Sequence, residues 1–176
     1  HVKIMTDAES LIKLLLRLAS DLRIPVGKTR LVKLLYLLEV EYFRAHQKRL
    51  TDLKWVFLHY GPYPLGLDDL LGTPDVEIEP KYLTDGRRFD QVSVSDRQQD
   101  AEQTPRGIIR LASEVMEKWG GLQIERLLDY VYFETEPMLT AAKGRELDFS
   151  TIVPAAASVI RRIKIDPKKL AKIRKN

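Results

Sequence analysis

Apolar residues recur at helical spacing near the start of the chain. From residue 11 onwards the leucines follow the i, i+3, i+4, i+7 rule, which places them on one buried face of a helix. Asp7 or Ser10 is in position to cap this helix, and Pro25 is in position to end it. The pattern therefore predicts an amphipathic first helix, built on Leu11, Leu14, Leu15, Leu18 and Leu22.

The next segment, residues 30–46, carries apolar residues around almost its whole circumference. Lys33, Glu39 and Glu41 interrupt it, and it is too short to cross a bilayer as a helix. A helix that is apolar on nearly every side is usually buried among other elements. We predict that this segment, with Thr29 in position to cap it, is the central helix of the fold.

Aromatic and β-branched residues mark the segment that follows. Residues 53–60 fit either a short strand or a last helical turn, and the run Gly61-Pro62-Tyr63-Pro64 follows as a chain breaker. Pro64 is in position to open a small helix that runs to Leu71, since proline is tolerated in the first helical turn.

A β-hairpin is predicted near residues 76–94. Apolar and polar residues roughly alternate on both sides of Asp85-Gly86, and an Asp-Gly pair in such a setting is a strong hairpin signal. Pro80 cannot donate a backbone hydrogen bond, so the first strand of this hairpin is expected to lie at an edge.

Three more helices are expected in the second half of the chain. They cover residues 105–118, residues 122–136 and residues 149–163, the last with Val153, Ala156, Ala157 and Ile160 facing inward and Pro154 in its first turn. The polar residues 95–105 are expected to form an exposed loop. The predicted fold is mostly α (α+β): a compact helical domain, residues 1–163, around a central hydrophobic helix, with a small antiparallel β-hairpin and a basic tail, residues 164–176.

Composition narrows the class of protein. The chain has 176 residues, of which 44% are hydrophobic and 31% charged, and this fits one globular domain. It has no cysteine, which excludes disulfides, thiol nucleophiles and cysteine-ligated metals. No apolar run is long enough for a membrane helix. We therefore expect a cytoplasmic protein with no membrane association.

The net charge of +4 is concentrated at the C-terminus. Residues 161–176 hold eight Lys and Arg against one Asp, a charge of +7, so that the rest of the chain sums to about −3. This tail could neutralise phosphates of a nucleic acid, although it has no interleaved aromatic residues for base stacking. The residues that would do so are Arg161, Arg162, Lys164, Lys168, Lys169 and Lys172.

Catalytic signatures are missing from the sequence. The three histidines lack metal-ligand spacing, no GxSxG elbow exists, and the glycines near residue 61 lack the Lys-Ser/Thr ending of a phosphate-binding loop. The paired acids, such as Glu39 with Glu41 and Glu134 with Glu136, are interpreted as solvated surface because neighbouring or alternate residues do not share a helical face. We expect no enzyme activity, no metal and no cofactor.

Two segments together resemble a known family. The run Lys28-Thr-Arg-Leu-Val-Lys33-Leu-Leu-Tyr36-Leu37 and the later His59-Tyr60-Gly61-Pro62 resemble the KLxKLLYL helix and the YGP turn of the Panacea domain, the SocA-like antitoxin family. The resemblance implies a mostly helical, non-enzymatic and often prophage-associated protein. Such a protein neutralises a toxin encoded by a neighbouring gene through direct binding, or acts as an adaptor that presents the toxin to an AAA+ protease.

A weaker match covers residues 122–149, and it contains departures from the family pattern. Phe133 stands where the family usually has histidine, and Met138 stands where it has tryptophan. Leu58 replaces a further family tryptophan just before the YGP turn. The resemblance therefore identifies a divergent member of the family.

Two main functional hypotheses follow, and a third, an enzyme with carboxylate chemistry in a cleft, stays open beside them. The first is a protein-binding antitoxin or adaptor whose partner contacts lie around the turn, at Tyr36, His59, Tyr60, Gly61, Pro62 and Tyr63. The second is a nucleic-acid-binding regulator that uses the 76–94 hairpin as a wing and the basic tail as a phosphate clamp.

Overall fold

The structure, a computed structural model, describes residues 6–95 and 104–155. The helices are α1 (Ala8–Asp21), α2 (Lys28–His46), α3 (Leu67–Leu71), α4 (Arg106–Val115), α5 (Ile124–Glu134) and α6 (Glu136–Leu139). The strands are β1 (Trp55–Leu58), β2 (Gly61–Pro64), β3 (Val76–Tyr82) and β4 (Arg88–Val94), paired in two small antiparallel sheets. The prediction of a mostly helical α+β fold is confirmed.

Helix α2 lies at the centre of the described structure, as predicted. Residues 31–40 are all buried, and α1, α4, α5, β2 and β4 pack around them. The predicted start of this helix was wrong, because α2 begins at Lys28 with Gly27 as its N-cap. Of the two predicted caps of helix α1, Asp7 is the one observed, and its side chain accepts a hydrogen bond from the N–H of Glu9.

The segment predicted as a chain breaker is a strand. Residues 61–64 form β2, which pairs with β1 in register Trp55↔Pro64 and Leu58↔Gly61. Pro64 therefore ends a strand and does not open a helix, and the small helix α3 begins only at Leu67, after Gly66. The strand alternative for residues 53–60 is the one observed.

The predicted β3–β4 hairpin is confirmed, with a three-residue loop. The N–H of Leu83 donates to the C=O of Arg87 and closes the loop. The N–H of Gly86 donates to the C=O of Leu83, which makes residues 83–86 a β-turn whose last residue, Gly86, is left-handed at φ 83°. The N–H of Ser95 donates to the C=O of Asp75. In this register the backbone N–H and C=O groups of the odd-numbered residues of β3 point towards β4. Pro80 therefore turns the position of its missing N–H outward, which makes β3 the predicted edge strand.

The second half of the chain adds helices at different bounds. A π-helical turn, Met116–Gly120, follows α4 and runs two residues beyond the predicted end at residue 118. The predicted helix over residues 149–163 is wrong in its first part, since Phe149–Thr151 is a single 3-10 turn followed by extended backbone at Ile152. Most of that prediction, with Ala156, Ala157 and Ile160, lies outside the described residues, as does the loop over residues 96–103.

Candidate functional site

The second of the two motif segments, residues 59–62, lies at a tight turn between β1 and β2. His59 and Tyr60 form its tip, and the side chain of Tyr60 is 73% exposed. Gly61 follows at φ 94°, a left-handed conformation that favours glycine. A Cβ atom at Gly61 would also lie 3.3 Å from the ring of Tyr132 on α5. The glycine of the motif is therefore required both by its backbone angle and by the tyrosine packed against it.

Strand pairing explains why two prolines fit into β2. Leu65 N–H donates to Lys54 C=O, and the register places Gly61 and Tyr63 with their backbone groups towards β1. Pro62 and Pro64 occupy the alternate positions, whose N–H groups would point away from β1. The ladder therefore loses no hydrogen bond to either proline.

The carbonyl of Pro62 is bound by the buried lysine of the central helix. Lys33 Nζ donates to Pro62 O at 3.0 Å, and Lys33 is only 2% exposed. Among the described residues no carboxylate pairs with this ammonium, and burial lowers the pKa of Lys33 to about 8. Lys33 thus links the KLLYL helix to the YGP turn through a single charge-assisted hydrogen bond.

Tyr36 lies in the core, where no partner could reach it, so its prediction as a surface contact was wrong. It is 0% exposed and packs edge-on against Trp55, with ring centroids 5.5 Å apart. Its hydroxyl lies 2.8 Å from Oγ1 of Thr135, and that hydroxyl already donates to Val131 C=O at 2.6 Å. Tyr36 is therefore the donor. Burial raises the pKa of the Tyr36 hydroxyl well above its ordinary range.

Glu39 was predicted to be solvated surface, and the structure places it in the core. It is 0% exposed and accepts hydrogen bonds from Thr51 Oγ1 at 2.8 Å, from Arg49 at 3.1 Å and from the indole N–H of Trp55. The carboxylate is retained there because one cation and several donors replace its water. Glu39 thereby fixes the loop between α2 and β1.

Glu136 was also predicted to be solvated, and it is instead half-buried in a bidentate pair. Its oxygens accept from Arg44 at 2.9 and 2.8 Å, and one of them accepts from the N–H of Val153 at 2.6 Å. Burial alone would raise the pKa of Glu136, but the hydrogen bonds from Arg44 and Val153 lower it below its ordinary value.

The exposed part of the site is apolar. Tyr132 lies against Gly61. The centroid of its ring is 5.9 Å from that of Phe57 and 6.3 Å from that of Phe133. Three large side chains of the turn and of the residue next to Tyr132 are exposed, at 37%, 73% and 67%: Leu58, Tyr60 and Phe133. We call these three residues the turn surface. Exposed large apolar and aromatic side chains are frequent anchors of protein-binding sites.

The remaining predicted contacts divide between exposed and buried positions. His59 is exposed and Tyr63 is half-buried, whereas Gly61 and Pro62 are buried and support the turn from within. Sequence reasoning noticed Leu58 and Phe133 only as departures from the family pattern. Their exposure depends on the packing of α5 against β2, which the sequence alone does not reveal.

The predicted nucleic-acid wing carries an unfavourable charge. Residues 75–95 hold five acidic and three basic residues, a net charge of −2. Arg87 pairs with Asp85 at 2.7 Å and Arg88 pairs with Asp90 at 3.2 Å. Phosphates would thus meet neutralised arginines on this hairpin. The predicted tail contacts lie outside the described residues: Arg161, Arg162, Lys164, Lys168, Lys169 and Lys172.

Within residues 6–95 and 104–155, no group of three histidine or acidic side chains is arranged to hold a metal ion. No helix in these two ranges is long and apolar enough to cross a membrane.

The motif geometry agrees with a family match. Residues 31–137 match the model of the family described as antitoxin SocA-like, Panacea domain. This stretch contains the buried lysine and tyrosine of α2, the YGP turn and the whole of α5. No curated protein and no solved structure matches the chain. The match covers more than half of the sequence, and the chain therefore belongs to the SocA-like Panacea domain family of antitoxins.

Proposed function

We propose that the protein is a non-catalytic cytoplasmic antitoxin that binds a protein toxin through the turn surface, Leu58, Tyr60 and Phe133. The observation that carries this proposal is that three large apolar side chains are exposed at or next to a turn that the buried Lys33 holds in place. A rigid scaffold lowers the entropy cost of binding, and exposed aromatic residues are frequent anchors of protein interfaces. Presentation of the toxin to an AAA+ protease is a further role that the family resemblance implies.

The divergence of this chain supports a partner of its own. Leu58 and Phe133, which depart from the family pattern, are two of the three residues of the turn surface. Of the residues that match the motif, Lys33, Tyr36 and Gly61 are buried, whereas Tyr60 is exposed and is the third residue of the turn surface. A change of exposed residues on an unchanged scaffold alters which partner is bound without altering the fold.

A co-expression growth assay tests this proposal. The open reading frame next to this gene is induced alone and then together with the protein, and the complex is isolated by affinity purification. We expect growth arrest that co-expression relieves, together with a stable complex. Lack of toxicity and lack of a complex would contradict the proposal.

Paired tyrosine variants then locate the interface. Tyr60→Ala is expected to weaken toxin binding by about tenfold or more, which is the usual loss at an interface anchor. Tyr82→Ala is the matched control, because Tyr82 is 69% exposed on the β3–β4 hairpin, away from the turn surface. Equal affinities of the two variants, measured by calorimetry, would place the interface elsewhere.

A further inference from the structure

Strand β3 has one edge without a neighbour in the described structure. Its odd-numbered residues are hydrogen-bonded to β4, so the N–H and C=O groups of its even-numbered residues point the other way. Among residues 6–95 and 104–155, no group bonds to the outward backbone of Ile78, Pro80 and Tyr82. Six of the seven residues of β3 are exposed. An open edge of this kind is a template for pairing with another strand.

The side chains of β3 divide between an apolar face and a charged face. Ile78 and Tyr82 are 49% and 69% exposed, and they lie on the same face because alternate residues of a strand point the same way. The opposite face carries Glu79 and Lys81, which form an ion pair at 3.2 Å. A second strand at this edge would therefore meet apolar side chains on one face and both signs of charge on the other.

A second copy of β3 fits this edge in a single register. Two copies related by a two-fold axis pair antiparallel, and each register is centred on the residue that faces its own copy. Five such registers, centred on residues 77–81, pair at least three residues of β3 with β3 of the other copy. Four of them place like charges directly opposite each other, which is destabilising: Glu77 against Glu77, Glu77 against Glu79, Glu79 against Glu79, and Lys81 against Lys81.

The remaining register is centred on Pro80 and is self-complementary. It places Glu79 of each copy opposite Lys81 of the other, which gives two ion pairs on the charged face. On the apolar face Ile78 lies opposite Tyr82, and the outward N–H and C=O groups of these two residues are in position to bond to each other. The side chains of β3 thus favour one symmetric dimer.

Pro80 blocks this register at its centre. Residue 80 of each copy would face residue 80 of the other as a hydrogen-bonded pair, which needs an N–H group from both. Proline has no N–H, and its ring carbon Cδ takes the place of the hydrogen, where it would collide with the carbonyl oxygen of the other copy. Natural edge strands use proline in this way against edge-to-edge association.

We propose that Pro80 keeps this protein from dimerising through β3, and that β3 without its proline is an interface for a second copy of the chain. The proposal concerns a different pair of strands from the turn surface and requires no toxin. It therefore goes beyond the proposed function and does not depend on it.

Sedimentation equilibrium of the full chain tests the proposal, with the dimer dissociation constant as the result. Pro80→Thr restores the outward N–H with a residue that suits a strand. Glu77→Thr is the matched control, because it places the same residue on the same strand with its N–H directed towards β4. Circular dichroism checks the fold of each variant.

We expect the Pro80→Thr chain to dimerise at least tenfold more tightly than the unchanged chain and than the Glu77→Thr chain. Adding Lys81→Glu to Pro80→Thr should cancel the gain, and so should adding Glu79→Lys, because each double variant places like charges opposite each other. An equimolar mixture of the two double variants should dimerise, since every lysine at these positions then faces a carboxylate.

Three results would overturn the proposal. The folded Pro80→Thr chain would dimerise no more tightly than the unchanged chain, the added charge changes would leave its gain in place, or the mixture would remain as weakly associated as its components. The growth assay uses the unchanged chain and reports on toxin binding, so the two proposals fail separately.

Discussion

The burial of the Lys33 ammonium predicts an unusual pH dependence of stability. Burial lowers the pKa of Lys33 from 10.5 to about 8. Between these two pH values the unfolded chain holds a proton that the folded chain has lost, so the free energy of unfolding rises with pH. Over pH 8 to 10 this rise is at most about 3 kcal/mol, since each unit of pKa difference corresponds to about 1.4 kcal/mol.

Urea unfolding at pH 7, 8, 9 and 10 measures this rise, with the fluorescence of the buried Trp55 and Trp119 as the signal. Lys33→Met removes the titrating amine, and its stability should change much less with pH. Lys28→Met is the matched control, because Lys28 is partly exposed and bound to Asp68, which raises its pKa. Parallel pH profiles for the unchanged chain and Lys33→Met would refute the argument.

Three further substitutions test the scaffold by denaturant unfolding. Glu39→Ala leaves Arg49 and the other donors without their acceptor and should lower the free energy of unfolding by about 3–5 kcal/mol. A decrease below about 1 kcal/mol would show that water already solvates this network. Gly61→Ala should lower the free energy of unfolding more than Gly66→Ala does. Both glycines have positive φ, but only at Gly61 would the new Cβ atom lie 3.3 Å from a tyrosine ring, so equal losses would contradict the packing argument. Tyr36→Phe removes the donor to Thr135 and should cost about 1 kcal/mol, and an unchanged midpoint would argue against that hydrogen bond.

The sequence predicted correctly those elements whose structure follows from a single local pattern. The leucine spacing predicted α1, except that Leu22 is an exposed C-cap residue, and the nearly continuous apolar run of residues 31–40 predicted the central position of α2. The Asp85-Gly86 pair predicted the hairpin, because the left-handed conformation at Gly86 is a local preference. These elements depend on interactions between residues close in sequence.

The errors arose where distant residues decide the structure. Pro62 and Pro64 break helices and most strands, but here the register with β1 places both at positions that need no donor. Glutamates such as Glu39 and Glu136 are usually found at the surface. Their burial is possible because the fold brings Arg49 to Glu39 and Arg44 to Glu136, and these ion pairs offset the loss of water. Such partners cannot be identified from spacing alone.

The structure separates what the family motif specifies from what it leaves free. Lys33 binds Pro62, Tyr36 binds Thr135 and Gly61 lies against Tyr132, so each matched residue has a buried contact that a substitution would disrupt. Leu58 and Phe133 have no such restraint, because their side chains are 37% and 67% exposed. A motif that fixes a turn from within leaves the outside of the turn open to change. Leu58 and Phe133, the exposed departures from the family pattern, are therefore a better guide to the partner of this protein than the third departure, Met138, which is 5% exposed and belongs to the core.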